Sequence, residues 1–146
     1  MDRGPAIILT LLVGGLVAFQ PPANAALGDH VGDLGAAFVS LSLSWLIVAV
    51  LLVLSGDGGA LTGLTGFRPV HALGGIAGAA IVFVTLVTVR PLGAGGVTAL
   101  LVCAQLLVSV SLDRSGFLQL DQVGLDAQRV SGLALLILGT ILITSR

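Results

Sequence analysis

Few residues in this chain could hold a ligand, and two of them, Gln20 and Asn24, are four positions apart. A helix puts such a pair on one face. Pro21 and Pro22 stand between them, and a proline ring has no N–H to give. The carbonyls of Val17 and Ala18, four residues earlier, therefore lose their helical donors and are free to coordinate a ligand or an ion. A third amide, Gln105, is followed at the same spacing by Ser109 and Asp113, which makes one polar stripe along a helix. Ser40 and Ser44 share a face near Trp45, whose ring could stack on an apolar or cationic solute. This is hydrogen-bonding chemistry suited to a neutral or weakly charged molecule. Covalent chemistry has no support: no nucleophile has an evident base, and there is no phosphate-binding loop. His30 and His71 are isolated and Cys103 is the only cysteine, so neither a metal site nor an intrachain disulfide is expected. The expectation is a non-enzyme without cofactor or metal.

These groups have to be positioned by a very apolar chain. Of its 146 residues 56% are hydrophobic and 9% charged, with no Lys, Glu or Tyr, and the mean hydropathy is +1.15. A soluble domain of this length would need a charged surface that is missing here. The net charge of -1 leaves no basic face for nucleic acid. Five apolar segments emerge, at about 5–27, 35–54, 70–89, 94–112 and 130–144. All but the last have about the 17–25 residues that cross a hydrocarbon core, and the last is marginal. A spanning backbone must satisfy its own hydrogen bonds, and the alternation of a membrane barrel is absent, so the segments are predicted to be helices. The fold class is an all-α integral membrane protein, a single membrane domain over 1–146 with the lipid bilayer as its solvent. Pro91-Leu92-Gly93 leaves so short a link that the third and fourth helices should form a hairpin. The Ser55–Pro69 loop and the stretch from Asp113 to Arg129 should lie outside the hydrocarbon, with Phe117-Leu118 at the interface. Met1-Asp2-Arg3, an apolar run and Ala23-Asn24-Ala25 also resemble a secretory leader, but four further hydrophobic spans follow.

Amides are costly in lipid, so Gln20, Asn24 and Gln105 should face the bundle interior. Gly74-x3-Gly78 and Gly75-x3-Ala79 give the third segment a small-residue face, and Gly132 and Gly139 repeat it on the fifth. Such faces bring helix backbones together, within a chain or between two. Five spans place Arg3, Arg68, Arg114 and Arg129 on the N-terminal side, and Arg90 and Arg146 on the other with Asp29 and Asp33. The positive-inside rule then puts the N-terminus in the cytoplasm, by four arginines to two.

Several motifs occur in order: Gly14-Gly15-x4-Gln20-x3-Asn24-x2-Leu27, Gly74-Gly75-x2-Gly78, Arg90-Pro91-Leu92-Gly93, Gln105 with Asp113-x2-Gly116, and Arg129-x2-Gly132 with Gly139. This series resembles the YdcZ-like small five-helix family of the drug/metabolite transporter superfamily. That family usually has Gly before the helix-four glutamine and an aromatic early in helix three, where this chain has Ala104 and His71. The resemblance implies half of a ten-helix inverted-repeat transporter. It further implies a homodimer, or a heterodimer with a paired five-helix protein, in the cytoplasmic (inner) membrane, dual topology being compatible with the near-balanced arginines. The small-molecule substrate would be held by Gln20, Asn24, Gln105, Ser109 and Trp45, while Gly74, Gly75, Gly78, Gly132 and Gly139 would pack helices or the dimer. The alternative is a non-transporting membrane scaffold or assembly protein, and a passive pore is a third reading.

Overall fold

The computed structural model describes residues 3–115 and 123–145, and all regular structure among them is helical. Helix α1 spans Arg3–Val31 and α2 spans Asp33–Leu54. Two 3-10 helices, Asp57–Gly66 and Pro69–Ala72, lead into a long helical stretch, Leu73–Ser115. Gly93 interrupts that stretch with φ 68 and ψ 162, a conformation that a side chain would strain. It therefore consists of two helices, α3 (73–92) and α4 (94–115), followed by α5 at Ala127–Thr144. The break has a physical reason. Together with the preceding turn, this region has 47 residues, which as one helix would run about 70 Å, twice the roughly 30 Å of a hydrocarbon core. Divided at Gly93, each half has the length of one crossing. The chain is an all-α membrane protein, with five such helices among its described residues.

Several helix ends differ from the apolar boundaries. α1 continues a turn past Leu27, through Gly28, Asp29 and His30. Polar residues end an apolar run but do not end a helix; Gly32 does, at φ 78. Its N–H bonds the Gly28 carbonyl at 2.8 Å while its own carbonyl accepts from Ala36 at 2.9 Å, so α2 starts at once. Pro21 and Pro22 sit inside α1 without breaking it. Ahead of α3, the Arg68 N–H donates to His71 Nδ1 at 3.1 Å, and Phe67 meets the His71 ring edge-on at 5.8 Å. His71 thus closes a turn within the polar loop. Asp126 caps α5 by accepting from the Arg129 N–H at 2.7 Å. Met1, Asp2, Gly116, the Phe117-Leu118 pair and Arg146 lie outside the described residues.

The chain divides into two compact units, 1–90 and 91–146. The core of the first joins Pro21, Asn24, Ala25 and Gly28 of α1, Ala36 and Ala37 of α2, and Val82, Thr85, Leu86 and Val89 of α3. All lie late in α1, early in α2 and late in α3. In the second unit Gly96, Val97 and Thr140 are buried. There the Thr140 hydroxyl donates to the Leu136 carbonyl at 2.8 Å with the Ala99 carbonyl 3.4 Å away, a polar contact from α5 to α4.

Candidate functional site

The first unit holds its polar centre where its three helices meet. Asn24 is 8% exposed, and its Nδ2 has no hydrogen-bond partner. An unbonded buried amide costs about 1–3 kcal/mol, and a leucine of similar size would avoid that cost. One turn later on α1 comes Gly28, at a point of close approach. A Cβ there would stand 2.9 Å from Asp33 Oδ1 and 3.1 Å from Arg90 Nη2, so a side chain would push the two apart. The space left by glycine is used by Arg90, near the end of α3. Its guanidinium donates to Asp33 at 2.8 Å, to Asp29 at 3.0 Å and to the Ala25 carbonyl at 3.2 Å. One cation thus ties all three helices together. The Arg90 side chain is 40% exposed, so water weakens the Coulomb attraction, and the planar fork supplies geometry more than energy. The sequence reading placed Arg90, Asp29 and Asp33 at one end of the spans without pairing them. The signal that could have found them is the Gly28-Asp29-x3-Asp33 cluster opposite an arginine at a helix end.

The second unit has a groove of about 470 Å³ between α4 and α5. Val102, Leu106, Leu133 and Leu136 line it with apolar surface, and Ser109, Asp113 and Arg129 supply its polar groups. Asp113 Oδ2 and Arg129 Nη1 are 3.5 Å apart, an ion pair too long to be a good hydrogen bond. That Nη1 is buried and has no hydrogen-bond partner.

The residues expected to bind substrate have different surroundings. Gln20 is half-buried and Asn24 buried, one turn apart on α1. Trp45 is 71% exposed. Ser44 spends its hydroxyl on the Ser40 carbonyl at 2.9 Å, the local back-bond common for serine in helices. On α4, Ser109 and Asp113 line the groove, whereas Gln105 is exposed and outside its lining. At Gly74, Gly75, Gly78, Gly132 and Gly139 a Cβ would meet nothing within 4 Å, so no contact among the described residues requires these glycines; Gly132 lines the groove. Among the described residues no group of three or more His, Cys, Asp or Glu could hold a metal ion.

Residues 5–142 match the model of the family described as "Putative inner membrane exporter, YdcZ", and the chain belongs to that family. The match takes in all five helices, including the Ala23-Asn24-Ala25 segment of α1. No curated protein and no solved structure gives a significant match. Membership makes this a multi-pass membrane protein of an exporter family and points away from an enzyme.

Proposed function

We propose that this member of the YdcZ exporter family moves a small neutral or weakly charged solute across the inner membrane by alternating access, as one half of a two-chain carrier. The observation that carries the reading is the buried, unbonded amide of Asn24. A donor left open among packed helices, one turn from the Gln20 amide and beside two prolines that free backbone carbonyls, is where a hydrogen-bonding solute would complete the set. None of the described acidic residues lies deep in a span, and no ATP-binding motif is present, which favours a solute gradient or an ion gradient as the driving force. The dimer is supported by the glycines of α3 and by Gly139 of α5, where a Cβ would meet nothing among the described residues. A pair of five-helix halves in opposed orientation would supply the ten helices of an inverted-repeat carrier. Within each half the N-terminus would be cytoplasmic in the majority orientation.

Purified protein in liposomes tests this. Counterflow of a labelled solute library should saturate for at least one neutral or weakly charged compound, and Asn24→Leu should abolish that flux while the variant still inserts. Flux rising linearly with concentration would point to a pore instead. Absence of flux with every solute would leave the scaffold, a reading favoured by the same unfilled glycine faces.

A further inference from the structure

We infer that the groove between α4 and α5 binds a zwitterion with an apolar body, its anionic group on Arg129 and its cationic group on Asp113. Three observations point there. First, Arg129 Nη1 is buried with no hydrogen-bond partner, although it lies 3.5 Å from a carboxylate oxygen. A guanidinium fork is completed by an oxyanion that accepts from it directly, and such charge-assisted bonds are about twice as strong as neutral ones. Second, the groove carries one positive and one negative side chain, both partly exposed. An anion alone would be drawn to Arg129 but repelled by Asp113, and a cation alone would meet the reverse. A ligand with both charges satisfies both and leaves the net charge of the groove unchanged. Third, Leu106, Leu133 and Leu136 give the groove apolar walls, and its volume of about 470 Å³ falls within the range of small-ligand pockets. That volume has room for an apolar side chain or for one acyl chain, but not for two full acyl chains. The same chemistry has two sources, a free amino-acid-like solute and the head of a single-chain zwitterionic lipid.

The site is distinct from the Asn24 centre, and the inference does not depend on transport, because binding is measured without flux. The test uses the full chain in nanodiscs of phosphatidylglycerol, with radiolabelled L-phenylalanine as probe. Phenylalanine should bind at least about tenfold more tightly than 3-phenylpropionate or phenethylamine, each of which retains one of its charges. Arg129→Gln and Asp113→Asn should each weaken it by about tenfold, as expected for loss of one charge-assisted bond. Gly132→Leu keeps both charges but puts a bulky side chain into the groove one turn from Arg129 and should abolish binding, since a side chain at 132 projects into open space. Competition by lysophosphatidylethanolamine would assign the groove to a lipid head, and its failure to compete would assign it to a free solute. Equal binding of the singly charged analogues, or phenylalanine binding unchanged by Gly132→Leu, would overturn the inference. The analogue comparison uses the unmodified protein, so the outcome stands even where a charge variant does not fold.

Discussion

In the first unit one set of three helices is held at one end and bare at the other. Where α1 ends, α2 begins and α3 ends, Arg90 bonds two carboxylates and a carbonyl across the three helices, with Gly28, Ala36 and Ala37 letting the backbones approach. Away from that end, Gly14 and Gly15 near the middle of α1 and Gly74 and Gly75 at the start of α3 are just as small, yet a Cβ on any of them would meet nothing within 4 Å. Small residues are therefore not what distinguishes the two ends. Lipid tails cover apolar side chains as well as other helices do, so burial of Leu and Val gives little drive to associate. Directional bonds between helices supply the difference, and among the described residues of this unit they are those of Arg90. The bare end is the surface on which a second chain would find room.

The sharpest way to break this contrast is Arg90→Leu. Asp29 and Asp33 would then face each other without a cation, and the substitution should give the largest fall in Tm of any described here, followed by size-exclusion during heating in detergent. Arg90→Lys should recover only part of it, because an ammonium lacks the fork that reaches three acceptors. An unchanged Tm in Arg90→Leu would mean that charge is not what separates the ends.

Glycine substitutions sharpen the comparison next. Gly28→Ala puts a Cβ against the flexible ends of Asp33 and Arg90, which can shift only by loosening the clasp, so little of the gain in helix propensity should remain. Gly15→Ala, in open space, should be stabilising by roughly 0.5–1 kcal/mol through helix propensity. Gly28→Ala should therefore melt below Gly15→Ala, and equal shifts would contradict the geometry at Gly28. Asn24→Leu, beside the held end, should raise stability by about 1 kcal/mol because it removes a buried donor that has no acceptor. A fall instead would show that the amide is a structural bond of the monomer. The smallest effect on the fold is expected from Gly75→Leu at the bare end, within about 0.5 kcal/mol. Its readout is association: cross-linking in native membranes should show less dimer while the monomer remains intact.

Much of the fold was legible in the sequence. Five apolar runs, the absence of strand alternation and the Arg90-Pro91-Leu92-Gly93 motif were enough for five helices and for a break near Gly93. The ends of the helices were less legible. Gly28-Asp29-His30 reads as the end of a span, but a polar turn remains a helix until a residue such as Gly32 takes a positive φ. The polar residues were legible as a set but not in their surroundings. Asn24 and Gln20 are both amides in one helix, yet only Asn24 is buried. Gln105, Ser109 and Asp113 form one stripe by spacing, yet the groove takes the last two and leaves out the first. Forty degrees of drift every four residues is enough to carry a side chain over the edge of a narrow contact.

What the sequence determined by itself was the solvent and the secondary structure, because both depend on local sums: hydropathy over about twenty residues, and hydrogen bonds closed within one segment. What only the tertiary structure decided was which charges meet. Arg90 is 61 residues from Asp29 and 57 from Asp33, and nothing local links them. Arg129 and Asp113 end up 3.5 Å apart around a groove in the same way. A charged pair acts over a few ångströms in space. Its distance in sequence says nothing about that, so the clasp at Gly28 and the groove at Gly132 had to wait until the helices were placed.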